Sequence, residues 1–422
     1  MRFLEYKQYF GVFLFLILLS LGVYIEGVER LVFLAGALGL MLFLKEENAA
    51  LCFFAQTFLC DSLELAPSLS FSSIAALVLI FKTFILRSKF NIDSKYYMLV
   101  FIAIVIQLIS TITFDNTSIN VVRFGVNLFV LLYFMNYSEL FERKSQLMVP
   151  SVVSLSVLFA CLIGLNRSAS VDNLGIIRYS GIWIDDNFCG MYCAIGIVSS
   201  LFAILHNKYT FIFAIPSIAL AITMGSLSMS RTFIFVLLIL AAFFTFSMLN
   251  NKSITGFKRL LLIIICLIGV GFFISRVAYS VFEQRGLDVG GDITHGRTEY
   301  SKQSLEAFSE HPISWILGIG ISNSVNFKSQ NGFEAMASHN TYIDMFVELG
   351  LPFCIIAISI IFRFLYRLVS NIKRNIPYTG YLCLIVVCYM GTLTLGQYSI
   401  LYIVMGIMIN FIKNIIYNNR KL

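Results

Sequence analysis

Residues 285–350 read RGLDVGGDITHGRTEYSKQSLEAFSEHPISWILGIGISNSVNFKSQNGFEAMASHNTYIDMFVELG, the one long polar interruption in an otherwise apolar chain. Three of the four histidines lie inside it, His295 and His311 before its end. A third, His339, stands in Ser-His-Asn-Thr-Tyr, where a new apolar segment opens. Around this stretch the chain is 59% hydrophobic and only 13% charged over 422 residues. A soluble domain carries about 25% charged residues, so the composition is that of an all-α polytopic membrane protein built as a single domain, 1–422. The net charge of +7 is spread as basic residues punctuating apolar segments. That pattern marks loops between transmembrane helices and excludes a nucleic-acid-binding arm.

Apolar segments long enough to span, or nearly so, fall near 10–25, 31–44, 49–60, 69–86, 96–114, 119–136, 147–164, 187–205, 209–224, 231–249, 258–279, 341–364, 378–394 and 397–415. A span needs roughly twenty residues. The second and third are short for that, so the expectation is 12 to 14 membrane helices. The first run has no small-residue cleavage site behind it, and an uncleaved first span is expected. If the N-terminus lies in the cytoplasm and the spans alternate, twenty of the thirty basic residues fall on the cytoplasmic side. The positive-inside rule then puts both termini inside and the loop 280–338 outside.

The exceptions to that bias carry information. Nine of the ten outer basic residues lie from Arg123 onward, and seven of these are arginine: Arg123, Arg167, Arg178, Arg231, Arg276, Arg285 and Arg297. Arginine on the translocated face suits an anionic ligand, since its planar, always-charged fork pairs with phosphate oxygens. The simpler reading is that each pairs with an outer carboxylate such as Asp185 or Asp186.

Within the long loop, Thr298–Ser309 has the spacing of a short amphipathic helix, with Tyr300, Ser304, Leu305 and Phe308 on one face and Pro312 after its end. Gly318-Ile-Gly320 lacks the lysine and the strand–helix setting of a phosphate loop and reads as a tight turn. Trp183 and Trp315 fall at the outer face, where tryptophan anchors at the interface or stacks on a sugar ring. Ser338 is expected to cap the helix that follows, with His339 in its first turn. Asn340, Asp344 and Glu348 recur at intervals of four and share one face, which must face the protein interior or a wet cavity. Cys189 and Cys193 lie one helical turn apart without a histidine or carboxylate at ligand spacing, so they read as packing and no metal site is expected.

One order of motifs runs through this half of the chain. Ser-Arg-Thr (230–232) opens a span, Gly-Arg (296–297) opens the loop helix, and Gly-Ile-Gly (318–320) precedes His-Asn-Thr-Tyr and Glu-Leu-Gly (348–350). Over roughly residues 175–365 the chain resembles the bacterial O-antigen polymerase and O-antigen ligase superfamily. The resemblance implies a glycosyltransferase-C-like architecture in the inner membrane and a site at the periplasmic face. The reaction it implies moves sugar chains, without a metal or other cofactor, from an undecaprenyl-pyrophosphate carrier to an acceptor hydroxyl. Carried over by motif, Arg231 and Arg297 would bind the pyrophosphate and His339 would assist the acceptor. Arg178, in Arg-Tyr-Ser-Gly, matches an upstream arginine–glycine element. Arg123, Asn340, Asp344, Glu348, Trp183 and Tyr300 are the further candidates for substrate binding.

The expected partners are the carrier-linked oligosaccharide and membrane lipids, with a chain-length regulator and a flippase beside them. Polymerase is the leading expectation, and ligase, moving the finished chain onto lipid A–core, is the alternative within the family. A transporter of lipid-linked sugars is the alternative of another class. Transporters, however, place their site near the midplane between repeats, and no internal repeat is visible here. Arg285–Gly350 is thus expected to form a lid and catalytic edge over a membrane-facing cavity.

Overall fold

The computed structural model describes residues 3–60, 63–66, 69–85, 94–141, 143–167, 170–171, 177–250, 297–372 and 376–419. The expected span 258–279, together with His295, Arg276 and Arg285, lies outside them. The chain is a helical bundle: α1 (Phe3–Tyr24), α2 (Arg30–Phe43), α3 (Glu46–Cys60), α4 (Phe71–Ile85), α5 (Ser94–Thr113), α6 (Ser118–Phe134), the single turn α7 (Tyr137–Leu140), α8 (Arg143–Gly164), α9 (Asp186–His206), α10 (Phe211–Leu227) and α11 (Arg231–Asn250). After the gap come three short helices, α12 (Arg297–Ser309), α13 (Ser314–Leu317) and α14 (Ser324–Gln330), then α15 (Thr341–Ser370), α16 (Tyr378–Tyr389) and α17 (Ser399–Asn419).

Among the described residues, four helices are long and apolar enough to cross a membrane, and eight shorter apolar helices accompany them. This is an all-α polytopic membrane protein. Two small antiparallel ribbons are the addition to that expectation. One pairs β1 (Glu64–Ala66) with β2 (Leu69–Ser70), and the other pairs β3 (Ser170–Val171) with β4 (Ile177–Arg178). Both lie in the links between helices, where extended chain must find its hydrogen bonds locally.

The short third segment has a definite place. Every residue of α3 from Asn48 to Cys60 is buried. A helix apolar on all sides belongs in the centre of a bundle, and α3 is wrapped by α1, α4 and α8. Likewise α9, packed on α8, α10 and α16, is buried from Asp186 to Gly196. Cys189 and Cys193 sit in this core as apolar side chains. Where lipid is as apolar as leucine, polar side chains help fix one helix against another. Gln56 donates to Ser72 (3.0 Å), Ser72 meets Ser399 (2.7 Å), and Ser399 donates to Asn127 (3.4 Å), which ties α3, α4, α17 and α6 together.

A second, smaller core lies under the polar loop. It holds Phe114, Ala307, Phe308, Ile319, Phe327 and Val347. The expected loop helix is present as α12, but its inward face is Ser304, Ala307 and Phe308, while Leu305 is exposed. Pro312 follows it as a stop, and the Ser314 hydroxyl donates to the carbonyl of Phe308 at 2.9 Å. His311 belongs to this core: its ring stands edge-on to Phe327 (5.3 Å between centroids), and its Nε2 meets Asn331 Oδ1 at 3.3 Å.

Candidate active site

The site is framed by a broken helix. Inside α15, Gly350 takes φ 77 and ψ 169, and Pro352 follows. Proline has no N–H for the carbonyl four residues before it, which is that of Glu348, and the left-handed turn at Gly350 interrupts the ladder beside it. The Gly318-Ile-Gly320 segment meets the released carbonyls: Ile319 N–H donates to Val347 O (2.9 Å) and Gly320 N–H to Glu348 O (3.2 Å). Gly318 has φ 70, and a Cβ there would stand 2.2 Å from Glu348 O. A Cβ on Gly350 would stand 2.6 Å from Ile316 O. Gly-Ile-Gly is therefore more than a tight turn. It is a backbone dock for the interrupted helix, and bare glycine is required on both sides.

The dock is clamped from α5 and the turn after it by residues that carried no motif. The buried Gln107 amide donates to Glu348 O (3.3 Å) and accepts from Ile321 N–H (2.9 Å). Ser110 donates to Gly318 O (2.8 Å), and Asn116 donates to Ile321 O (2.9 Å). Glu348 adds its side chain to the clamp, buried beside Ser322 and Ser324 of the same loop. The shared face of Asp344 and Glu348 is interior, as expected, but the carboxylates fasten the loop to the helix.

The entry to α15 differs from expectation in one respect. Asn340, rather than Ser338, is the N-cap, with its Oδ1 accepting from the N–H groups of Tyr342 (3.1 Å) and Ile343 (3.4 Å). His339 accordingly precedes the helix instead of lying in its first turn, and it adopts a left-handed φ of 52. The reason is local. Ser338 Oγ donates to Asp344 and accepts from Asn340 N–H (3.0 Å), which closes a tight turn around His339. Thr341 N–H donates to Met390 O (2.8 Å), and its hydroxyl bridges Leu393 O and Leu395 N–H. The histidine turn is thereby seated on the segment that links α16 to α17.

Arg178 and Arg231 converge on the same end of the bundle. Arg178, on β4, is ion-paired through Nε with Asp186 at 2.8 Å, and the same N–H also donates to Ser228 O (3.2 Å). The simpler reading of an outer arginine thus holds for Arg178, and for Arg167, which pairs with Glu26 (3.2 Å). Arg231 is the first residue of α11, half-buried and close enough to Arg178 for the two charges to act on each other. Beside them Ser230 Oγ donates to Asn187 Oδ1 (2.9 Å), while the buried Nδ2 of Asn187 has no hydrogen-bond partner among the described residues. Asp185 caps α9, accepting from Asn187 N–H (2.7 Å).

Tyr389 joins the two groups. A Cβ on Gly190 would lie 2.8 Å from its hydroxyl and 3.3 Å from Ser230 Cβ. The next residue, Met390, holds Thr341. Phe188 and Tyr398 meet across the same end as tilted rings, with centroids 4.7 Å apart.

An apolar cavity of about 190 Å³ runs between α5, α6, α15 and α17. Asp344 and Glu348 lie on its wall, together with Ala103, Phe124, Phe353 and Tyr402.

The remaining candidates are dispersed. Arg123 is half-buried on α6, one turn beyond Asn120, whose amide meets Asn116 (3.1 Å) beside the Gly-Ile-Gly dock. Arg297 opens α12, and its side chain lies outside what the structure describes. Tyr300 presents its ring to Lys328 Nζ at 5.9 Å. The expectation that Trp183 offers a ring to a sugar is corrected. Its indole is buried against Tyr192 and donates to Phe58 O (3.1 Å), because the 181–184 turn directs this side chain inward while Ile184 beside it stays exposed. Trp315 is half-exposed and packs on Phe308 and Phe346. Gln107, Ser110, Asn187 and Lys328 were missed. Only Gln107 and Lys328 carry a signal, as polar side chains placed where burial is costly.

With this geometry in view, the matched family can be located on it. Residues 216–358 match the family model described as O-antigen ligase. The match supports the O-antigen ligase and polymerase superfamily. It begins inside α10 and ends just beyond the break in α15, so it contains Arg231, Arg297, the Gly-Ile-Gly dock, His339, Asp344 and Glu348. Arg178 and the α5 clamp fall outside the matched segment, yet both are packed against it. Members of this superfamily are glycosyltransferase-like enzymes of O-antigen synthesis. A search of curated proteins found no match.

Proposed function

We propose that the chain is an O-antigen or capsular polysaccharide polymerase, joining undecaprenyl-pyrophosphate-linked repeat units at the periplasmic face of the inner membrane. The observation that carries this reading is the gathering of Arg178, Arg231 and the His339 turn at one end of the bundle. Arg231 also stands at the N-terminus of a twenty-residue helix, which favours an anion. The leaving group is a lipid pyrophosphate whose charge grows as the glycosidic bond breaks. Arg231, joined by Arg297 on the motif, supplies fixed charge-assisted donors for it, and Arg178, held by Asp186, stands beside Arg231. The acceptor is a sugar hydroxyl, and the His339 imidazole takes its proton as the new bond forms. Attack opposite the leaving group inverts the anomeric centre.

The test uses purified protein in detergent with carrier-linked repeat units. Longer chains with release of carrier pyrophosphate support the polymerase, and neither product appearing overturns it in favour of transport. The ligase is the second reading, favoured by the description of the matched family itself. Deleting the gene separates the two: lipopolysaccharide with a single repeat unit means polymerase, and core with no O-unit means ligase.

A further inference from the structure

Asp344 was expected to touch substrate, but its geometry points elsewhere. We infer that Ser338 and Asp344 are positioning residues that act through His339, holding its imidazole in the left-handed turn before α15. The inference rests on the proposed role of His339 and adds the device that sets its orientation.

The turn is specified by its hydrogen bonds. Ser338 Oγ donates to Asp344 Oδ1 at 2.6 Å and accepts from Asn340 N–H at 3.0 Å, and both side chains are at most 2% exposed. The hydroxyl thus spans the chain on both sides of His339. A non-glycine residue at φ 52 is uncommon and persists where surrounding contacts over-determine it. Here those contacts are the Ser338–Asp344 bond below, the Asn340 cap ahead and the Thr341 bonds to Met390 and Leu393 at the side.

A buried carboxylate also needs a counter-charge. Lys328 of α14 provides it, buried to 1% exposure, donating to Met336 O and acting electrostatically on Asp344 and Glu334. Burial pushes the Lys328 ammonium below the usual lysine range, and the two carboxylates oppose that fall. Lys328 therefore holds the carbonyl of Met336, two residues before Ser338, while its charge acts on the carboxylate that holds Ser338.

Two measurements on the full chain in detergent test this. In the first, rates of chain extension are compared for wild type, Ser338→Ala, His339→Gln and the double variant. Ser338→Ala is expected to lower kcat by about tenfold with KM unchanged, as loss of orientation does. Added to His339→Gln, it is expected to change nothing further. A multiplied loss in the double variant, or a raised KM, overturns the inference. In the second, diethylpyrocarbonate labelling of His339 is followed by peptide mass spectrometry. Ser338→Ala and Asp344→Ala should each change its rate several-fold, Asp344→Asn should restore it by keeping an acceptor for the hydroxyl, and His311 should not respond. Unaltered labelling of His339 overturns the inference whether or not the protein makes polymer. If wild type makes no polymer, the proposed function fails while the labelling still decides this point.

Discussion

The two halves of α15 obey different rules. Before Gly350, the helix buries Thr341, Asp344, Val347 and Glu348, and each finds a partner in the loops around it. After Gly350, it exposes Ile355, Phe362, Tyr366 and Val369 on one side and buries Cys354, Ala357, Ile361 and Phe364 on the other. One continuous segment thus serves as a wall of the site and then as a membrane-facing helix. The break lets it change direction and partners between those roles. The lesson is that polarity in a membrane helix is informative where it meets another element and silent where it meets lipid.

The largest test of this contrast is chemical. His339→Ala and Arg231→Ala should each slow chain growth by about 10²–10⁴-fold, the usual contribution of a positioned acid–base group or charge donor. Membrane expression should be unchanged in both, since neither side chain belongs to the buried core. Normal chain-length banding from both variants would remove the end of the bundle at His339 from consideration as the site.

The next largest test attacks the break itself. Gly350→Ala places a Cβ 2.6 Å from Ile316 O at a φ of 77. Strain of this kind is worth about 1–3 kcal/mol, and the clash with backbone adds to it. Thermal unfolding in detergent should show a clear loss of stability, with Gly318→Ala behaving alike. A variant as stable as wild type would mean that the two halves can be one straight helix.

These glycines show what could be read in advance. Hydrophobic runs gave almost every described helix, because a bundle in lipid is written in length and apolarity. The outer arginines, His339 and the acid face stood out because charge is rare in such a chain. What stayed hidden depended on contacts across long sequence distances. Nothing near Gln107 announces that its amide will clamp residues more than two hundred positions away. Gly318 and Gly350 each read as local punctuation, although the need for glycine arises from their meeting. Ser338 looked like a cap by its place in the motif, but Asn340 takes that role because the Asp344 carboxylate draws the serine hydroxyl inward. Trp183 seemed interfacial by position, and only the fold of the 181–184 turn buries it.

A third test follows from Gln107. Replacing it with leucine keeps the volume and removes both hydrogen bonds, leaving Ile321 N–H without its acceptor and Glu348 O with fewer donors. A buried polar group left unsatisfied costs about 1–3 kcal/mol. Stability in detergent should fall by that amount, and the rate should fall with it because the dock supports the first half of α15. Gln107→Glu, which keeps the acceptor for Ile321, should be more active than Gln107→Leu. Equal behaviour of the two would show that packing alone holds the dock.

The smallest effect is expected beyond the break, and it is the control that gives the others meaning. Phe362 is 69% exposed and Ile355 is 54% exposed on the outer side of α15. In a bilayer these side chains trade one apolar neighbour for another when shortened, so Phe362→Leu and Ile355→Val should shift stability by no more than about 0.5 kcal/mol. Chain growth by both variants should match wild type in the same assay that registers His339→Ala. A marked loss from either would mean that this face meets protein instead of lipid. In that event the second half of α15 would carry an interface, and the contrast between the two halves would be one between two kinds of protein contact.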